Sequence, residues 1–335
     1  MKKILLYPWG DYYLNNKIFY DKNFYNLCTV EKNPILLLKE ELKSLNYDLI
    51  TIDNGNLDEA EYIIFFEVPS KNNTYYRECI KKKLYHKMIL FLWEPPVVNP
   101  KNYDKIIHEN FTYIFTWRDD LVDNKKYFKF YYPQPSSVPE IVNVQFEKKK
   151  FCTLIAGNKI SKVKGELYSE RIKAIEYFEK NNIKSFDLFG RGWNKPRNRK
   201  EKIFPFLVRN FKSYSGETNN KLYTLSQYKF CICYENQSNV QGYVTEKIFD
   251  CFFAGCIPVY LGAENINDYI PENCFIDKRY FDSYTDLYNY LTSIGKKDYI
   301  EYQNNIKNYL EGSNFKFFTD EYFAKNITET IKNLK

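Results

Sequence analysis

The chain has 335 residues, of which 44% are hydrophobic, and a formal net charge of +7. This length predicts about two domains, and the apolar fraction is typical of a globular protein rather than a disordered or membrane-spanning one. Nucleic-acid-binding proteins are usually more basic and carry a recognisable module, so we expect no nucleic-acid partner. The basic runs Lys81–Lys83, Lys148–Lys150 and Lys195–Lys202 are expected on the surface, where they could attract an anionic substrate or membrane.

The first half of the chain alternates short apolar runs with helical periodicity. Its opening run ends at Pro8, too short for a signal peptide or a membrane anchor. We therefore expect a cytoplasmic protein of bacterial or viral type, with at most peripheral membrane association. A helix is predicted at Pro34–Leu45, and strands are predicted at Lys3–Tyr7, Leu49–Ile52, Tyr62–Phe66, Met88–Trp93, Tyr113–Trp117 and Phe128–Tyr132. Strands separated by helices predict crossover connections and a mostly parallel sheet.

A proline-rich segment, Tyr132–Pro139, interrupts this pattern and is the predicted linker. A second series of elements follows it. Strands are predicted at Phe151–Ala156, Phe186–Phe189, Lys229–Tyr234 and Ile257–Leu261; helices are predicted at Tyr168–Lys180, Leu222–Tyr228, Val244–Ala254 and over much of Tyr284–Lys335. Two α/β halves joined by such a hinge are typical of an enzyme with two Rossmann-like domains and a ligand-binding cleft between them.

The eight cysteines do not have the spacing of a metal site. No C-x-x-C occurs, and the two histidines, His86 and His108, lie far along the chain from the cysteine-rich part. The cysteines of the second half fall in apolar segments, which favours a role as small core residues in a reducing compartment over a disulfide framework. They are Cys231, Cys233, Cys251, Cys256 and Cys274.

The stretch after the predicted strand Lys229–Tyr234 carries the chemistry. Glu235 and Asn236 stand at its carboxyl end, and Thr245 is the predicted N-cap of the next helix. The free N–H groups and the positive dipole end of a helix start suit a pyrophosphate. Lys247 adds a full charge there, and Glu246 could accept hydrogen bonds from sugar hydroxyls. The residues alone equally allow a plain strand–helix–strand unit with a surface Glu–Lys pair.

This stretch resembles the donor-binding signature of the α-1,3/4-fucosyltransferases. The matching elements are Tyr234-Glu235-Asn236, then Tyr243-Val244-Thr245-Glu246-Lys247, then Ala254-Gly255-Cys256-Ile257-Pro258-Val259. The resemblance implies the GT-B fold, α/β with two Rossmann-like domains and an interdomain cleft. It divides the chain into an acceptor-side domain (1–138), a GDP-sugar-binding domain (139–311) and a C-terminal helix (312–335) that could pack back on the first domain. The implied donor-binding residues are Arg171, Gly190, Glu235, Asn236, Tyr243, Val244, Thr245, Glu246 and Lys247.

Two of these positions, Gly190 and Arg171, lie in segments that match the family less closely than the donor-binding signature does. Leu188–Gly192 resembles the strand-to-glycine turn before the donor motif, where Gly190 would let the backbone approach a ligand closely. Arg171, near the start of a predicted helix, resembles the family's phosphate-binding arginine, because a guanidinium can bind phosphate oxygens bidentately. An arginine on an exposed helix face is the alternative.

The first half offers a candidate catalytic carboxylate. Glu94 follows a buried strand, and Trp93 beside it could partly desolvate it, which raises a carboxylate pKa and makes it a better base. Its position resembles that of the family's catalytic base, although the surrounding motif differs; a solvated strand-end glutamate is the alternative. Trp117 and Arg118 resemble a family segment on the acceptor side. Tyr12–Thr29 is a candidate acceptor loop.

The sequence contains no D-x-D motif, which single-domain sugar-nucleotide transferases usually use to chelate a divalent cation. We therefore predict no metal site and no required cofactor, a divalent cation being at most stimulatory. The resemblance implies an inverting α-1,3-fucosyltransferase that moves L-fucose from GDP-β-L-fucose to a glycan containing N-acetylglucosamine or glucose. Two alternatives stay open: a GT-B transferase with another nucleotide sugar, and a non-catalytic nucleotide- or glycan-binding protein.

Overall fold

A computed structural model describes residues 1–22, 24, 33–136 and 144–334. The chain divides into two compact units. The first consists of Met1–Ser136 and Lys316–Lys335, and the second of Ser137–Phe315. Each unit is built around its own sheet.

The first unit holds a sheet whose described strands pair in parallel in the order β2-β1-β3-β4-β5-β6. The strands are β1 (Lys2–Tyr7), β2 (Tyr47–Thr51), β3 (Tyr62–Phe66), β4 (Met88–Leu92), β5 (Tyr113–Thr116) and β6 (Tyr127–Lys129). The central strand β4 is buried along its whole length, as expected for a parallel strand covered on both faces. Helices α1 (Pro34–Ser44), α2 (Thr74–Lys81) and α3 (Lys105–His108) connect the strands.

The second unit has a smaller parallel sheet in the order β11-β10-β9-β7-β8. Its strands are β7 (Lys150–Ile155), β8 (Phe186–Phe189), β9 (Tyr228–Tyr234), β10 (Ile257–Leu261) and β11 (Ile276–Asp277). Its helices are α4 (Tyr168–Asn181), α5 (Arg199–Ile203), α6 (Lys221–Ser226), α7 (Glu246–Phe253), α8 (Tyr284–Ser293) and α9 (Lys296–Glu311).

The last helix, α10 (Asp320–Asn333), belongs to the first unit and packs against α1. Main-chain bonds hold its start: Gln134 N donates to Phe318 O at 2.6 Å, and Asp320 N donates to Gln134 O at 2.8 Å. Farther along α10, the Asn326 side-chain amide donates to the carbonyl oxygen of Lys129 at 2.9 Å. The chain therefore ends on the unit in which it begins.

Each sheet has a topological switch point, a pair of neighbouring strands at which successive strands are added first on one side and then on the other. In the second unit this switch lies between β7 and β9, and in the first unit between β1 and β3. In open parallel sheets, ligands bind outside the carboxyl ends of the strands at the switch. The residues that follow β9 and β3 are therefore the candidates for ligand binding.

Several predicted elements differ from the structure at their ends. The strand predicted at Phe128–Tyr132 is Tyr127–Lys129 in the structure. Phe130 makes the last main-chain bond to β5, from its N to Thr116 O at 2.9 Å, and its ring stacks on Trp93 at 5.3 Å. The helix predicted from Val244 starts at Glu246, since Thr245 has the extended backbone of an N-cap. The sequence reading missed α2 altogether.

The described cysteines of the second unit are buried and unpaired. They are Cys152, Cys231, Cys233, Cys251, Cys256 and Cys274. The predicted role of Cys231, Cys233, Cys251, Cys256 and Cys274 as small core residues is confirmed, and Cys152 is buried in the same way. Within that part, no helix combines the length and the apolar character needed to cross a bilayer.

Candidate functional site

The switch point of the second unit is occupied by a buried carboxylate. Glu235, the residue after β9, has no solvent exposure. Its carboxylate accepts hydrogen bonds from Thr245 N at 2.9 Å and from Thr245 Oγ1 at 2.8 Å. Gly262, after β10, leaves the space for this arrangement, since a Cβ there would lie 2.5 Å from Glu235 Cγ. Glu235 therefore joins the end of β9 to the start of α7.

The start of α7 is capped as the sequence predicted, because the Thr245 side chain accepts from Lys247 N at 3.5 Å. The Lys247 ammonium lies 3.1 Å from Glu235 Oε2 and 3.5 Å from Glu246 Oε1. Burial lowers the pKa of Lys247, but the carboxylates of Glu235 and Glu246 outweigh it and raise the pKa above its ordinary value. A lysine that stays charged is thus held in the first turn of a helix, where the helix dipole also favours an anion.

Arg171 is buried, which rules out the alternative of an exposed helix arginine. Its Nη2 donates to the carbonyl oxygens of Tyr234 and Glu235 at 2.6 and 2.8 Å and to Asn236 Oδ1 at 3.1 Å. The guanidinium therefore holds the end of β9 in place. Burial lowers the pKa of Arg171, yet a guanidinium remains charged at any physiological pH.

Arg171 and Lys247 line a small cavity beneath the switch point together with Lys221. Lys221 forms a buried ion pair with Asp250 on α7. Burial raises the pKa of Asp250 to about 7, against the lowering effect of Lys221. For Glu246, burial is outweighed by Lys247 and Lys221, which lower the pKa to about 2. Three cations and three carboxylates thus surround one end of the sheet, and sequence reasoning missed Lys221 and Asp250.

The remaining predicted donor residues lie around this cluster, some buried and some accessible. Tyr243, Val244 and Thr245 are buried, whereas Asn236 and Glu246 are partly exposed. Asn236 Nδ2 donates weakly to the Tyr243 hydroxyl at 3.4 Å. The accessible groups that a ligand could reach are therefore Asn236, Glu246 and Lys247.

Gly190 follows β8 and has a left-handed backbone, with φ of +122°. A Cβ at this position would lie 2.1 Å from the carbonyl oxygen of Ala156, which follows β7. The neighbouring main chain fills the space beside this glycine, which is a reason for it in addition to the predicted close approach of a ligand. The glycine lets the main chain after β8 lie close to the main chain after β7.

The first unit presents its own pair of carboxylates at strand ends. Glu94, which follows β4 by two residues, is partly buried. Glu67, directly after β3, accepts from Trp93 N at 2.8 Å and from Glu94 N at 2.6 Å, both on Oε1. Its Oε2 accepts from the side chains of Asn99 and Asn102. Burial raises the pKa of Glu67, although these donors lower it in part.

Glu67 thus fixes the backbone on which Glu94 stands, and sequence reasoning missed it. Its backbone is left-handed, with φ of +77°, which is uncommon for a glutamate and indicates local strain. A signal was present: like Glu94, Glu67 ends an apolar run, Tyr-Ile-Ile-Phe-Phe.

The predicted acceptor-side residues lie close to Glu94. Trp117 is fully buried and donates from Nε1 to Trp93 O at 3.0 Å. Arg118 pairs with Asp120, and its guanidinium lies 5.3 Å from the centre of the Tyr103 ring. Trp117 therefore holds the main chain of Trp93 through this hydrogen bond. Arg118 is more accessible to solvent than Trp117. The candidate loop Tyr12–Thr29 lies partly outside the described residues.

Over the described ranges, no group of three or more histidine, cysteine, aspartate or glutamate side chains is arranged to hold a metal ion. In the second unit, the cationic side chains of Arg171, Lys221 and Lys247 lie near the start of α7.

Comparisons with known proteins concern the family and the fold of the chain. Residues 145–332, more than half of the chain, match the family model described as glycosyltransferase family 10 (fucosyltransferase), C-terminal part. The chain is 39% identical over 71 residues, 21% of its length, to an α-(1,4)-fucosyltransferase of Arabidopsis thaliana. It is 34% identical over 126 residues, 36% of its length, to the α-(1,3)-fucosyltransferase FucT of Helicobacter pylori. The matched segments span only 18% and 24% of these relatives.

Solved structures share the fold across the whole chain. A crystal structure of α1,3-fucosyltransferase matches with a TM-score of 0.56 and 16% identity, covering all of this chain and 91% of that one. Anabaena HepE in complex with UDP matches with a TM-score of 0.58 and 9% identity, covering all of both chains. At such identities the likeness establishes the fold, which is GT-B.

Proposed function

Since the chain belongs to glycosyltransferase family 10, the fucosyltransferases, we propose that it transfers L-fucose from GDP-β-L-fucose to a glycan hydroxyl. The family match includes β9 and α7, where the buried Glu235 holds the charged Lys247 at a helix start. This arrangement carries the proposal. A solved α1,3-fucosyltransferase of the same fold, with a TM-score of 0.51 and 15% identity over the whole of this chain and 91% of that one, is a complex with GDP-fucose.

The second unit would bind the donor diphosphate. A phosphate that reaches Lys247 meets a cation and the positive end of the α7 helix dipole, and neither needs to reorganise as charge develops on the leaving GDP. Glu246 and Asn236, the accessible polar side chains beside it, would accept or donate hydrogen bonds to the sugar. Arg171 would act mainly by holding the end of β9, and its charge would add to the positive potential.

The first unit would supply the base. Glu94 would remove the proton from the acceptor hydroxyl, whose oxygen then attacks the anomeric carbon as the bond to GDP breaks. Attack on the face opposite the departing GDP turns the β-linked donor into an α-linked product. Glu67 would position this carboxylate through the main chain of Trp93 and Glu94. We propose an acceptor containing N-acetylglucosamine or glucose, with fucose added at O3.

A different nucleotide sugar is the second candidate. It is favoured by one observation, the equally good fold match to HepE in complex with UDP. Binding titrations with GDP, UDP, ADP and CMP separate the two. We expect GDP to bind at least about tenfold more tightly than the others, the ratio that about 1.4 kcal/mol of guanine recognition would give. Preferential binding of UDP would remove GDP-fucose as the donor while leaving the fold assignment intact.

A further inference from the structure

Residues 194–210 form a loop that is clasped at its base by two aromatic side chains. Trp193 and Phe211 are both buried, and their rings meet edge-to-face at 5.4 Å. Trp193 Nε1 donates to Ala156 O at 2.7 Å, and beyond Phe211 the chain returns along β8, with Leu188 N donating to Ser213 O at 2.9 Å. We call residues 194–210 the clasped loop. Its two ends are anchored to the body of the second unit.

The clasped loop is also organised internally. The buried Glu201 accepts from Arg197 N at 2.8 Å and pairs with the Arg197 guanidinium at 2.8 Å. Asn198 caps the short helix α5 by accepting from Glu201 N at 2.9 Å. These bonds fix the conformation of the loop, so the side chains that follow Glu201 are exposed on a folded segment.

The tip of the loop exposes four large apolar side chains in close succession. Ile203 is 59% exposed, Phe204 46%, Phe206 81% and Leu207 39%. The rings of Phe204 and Phe206 lie 5.8 Å apart, so they form one patch. Single exposed apolar residues are ordinary, whereas a contiguous exposed patch rimmed by polar residues marks an interaction site.

Exposed cations stand on both sides of this patch in the sequence. Lys195, Arg199, Lys200, Lys202 and Lys212 are exposed. Among the described residues, the salt bridges of this stretch use the other two cations: Arg197 pairs with Glu201, and Arg209 pairs with Glu176 on α4. Five exposed cations that take no part in these two salt bridges therefore lie within a few residues of the apolar tip or near the ends of the loop in sequence, and no exposed carboxylate interrupts the sequence from Lys195 to Lys212.

We propose that the clasped loop is a docking surface for an anionic lipid bilayer. Aromatic and aliphatic side chains at the tip would enter the boundary between head groups and acyl chains, and the flanking lysines and arginines would lie against the lipid phosphates. Membrane-surface binding depends on this combination, buried apolar area plus attraction to anionic lipids. The assignment is independent of the sugar-nucleotide chemistry, since none of these residues belongs to the cluster around Glu235.

Sedimentation with lipid vesicles tests the proposal. The full chain is mixed with vesicles of phosphatidylcholine alone or with about one third phosphatidylserine, a fraction high enough to give the surface potential that attracts basic segments. We expect binding to the anionic vesicles only, weakening as salt is added. The double variant Phe204→Ser, Phe206→Ser should lower the partition coefficient about tenfold or more, because two exposed rings no longer insert.

A variant that lacks two lysines of the loop, and a control variant that lacks two lysines elsewhere, test the electrostatic part of the binding. Lys200→Ala with Lys202→Ala should lower the partition coefficient about tenfold at low salt, given the attraction of each lysine to an anionic surface. Lys325→Ala with Lys332→Ala, which removes the same charge from exposed positions of α10, should leave most of the binding intact. Circular dichroism and GDP titration would show that each variant stays folded.

Three results would overturn the proposal. One is equal binding to neutral and anionic vesicles, or no binding to either. Another is a loss of vesicle binding in the α10 control variant as large as that in the Lys200/Lys202 variant, which would show that binding depends only on the net charge of the protein. The third is unchanged vesicle binding in the Phe204/Phe206 variant together with a raised KM for a glycan acceptor, which would assign the patch to the acceptor.

Discussion

The carboxylate of Glu235 should be a main determinant of both stability and donor binding in the second unit. It is fully buried, and it bonds both to Thr245 and to the Lys247 ammonium. The substitution Glu235→Gln keeps the shape of the side chain and one oxygen that can still accept from Thr245 N. It removes the negative charge and turns an amide N–H group toward the ammonium group of Lys247, so a donor faces a donor.

The expected cost follows from what is lost. A hydrogen bond to a charged group contributes about 1.5–3 kcal/mol, and removing one partner of a buried pair leaves the other uncompensated. The Lys247 side chain is 21% exposed, so water recovers part of the loss. We expect destabilisation of about 2 kcal/mol, which for a unit of this size lowers Tm by about 4–8 °C. Donor binding should weaken as well, since Lys247 is no longer held at the start of α7.

Differential scanning calorimetry and GDP titration of the variant measure both effects. Glu246→Gln is the matched control, because Glu246 pairs with the same lysine at 3.5 Å but its side chain is 44% exposed. Because the Glu246 side chain is 44% exposed, solvent screens the attraction that lowers its pKa, and an exposed pair of this kind contributes about 0–1 kcal/mol. The control should therefore unfold close to the wild-type temperature. If Glu235→Gln unfolds with the control and binds GDP as tightly as the wild type, Glu235 does not hold α7 or Lys247 and the reasoning fails.

Three further predictions concern the two units separately. Glu94→Gln should reduce turnover by about 10²–10⁴, the usual contribution of a general base, without changing GDP affinity in titrations; wild-type turnover would exclude Glu94 as the base. Lys247→Met should weaken GDP binding about tenfold or more by calorimetric titration, and unchanged affinity would contradict a phosphate contact. Burial raises the folded-state pKa of Asp250 to about 7 against the pull of Lys221, so its contribution to stability is present below about pH 4 and is lost as the pH rises toward 7. Urea unfolding across that range should therefore show the stability of the wild type falling relative to Asp250→Asn as pH rises, and a difference that does not change with pH would refute this.

The parallel sheets could be predicted because their strands are nearly continuous apolar runs. Strand β4 is an example: Met-Ile-Leu-Phe-Leu has no polar position, which is typical of a strand covered on both faces. The start of α7 could be placed by Thr245, since a threonine before a periodic apolar stretch is a good N-cap. The strand order could not be derived from the sequence, because it depends on which strands lie side by side in the folded sheet.

The partners of the site residues could not be predicted for a similar reason. Glu235 and Thr245 are ten residues apart in sequence, and only the return of α7 alongside β9 brings them within 2.9 Å. Arg171 comes from α4, and its bonds to the carbonyl oxygens after β9 depend on how that helix packs on the sheet. The family resemblance identified these positions without showing that Arg171 and Glu235 are buried.

Glu67 illustrates the limit of pattern reading in the first unit. The pattern that singled out Glu94, a carboxylate after an apolar strand, applied equally to Glu67. No local rule predicts a left-handed backbone for a glutamate, and only the folded sheet shows that its carboxylate accepts the main-chain N–H groups of Trp93 and Glu94.

Turnover of GDP-β-L-fucose by the purified chain is the decisive measurement for fucosyl transfer. The wild type and Glu94→Gln would be incubated with GDP-fucose and a mixture of glycans containing N-acetylglucosamine or glucose, without added metal, and the products followed by proton NMR. We expect release of GDP coupled to an α-linked fucosyl product in the wild type and the loss of this product in the variant. Tight GDP binding with neither hydrolysis nor transfer, across the whole acceptor mixture, would contradict it and favour a binding protein on the same fold.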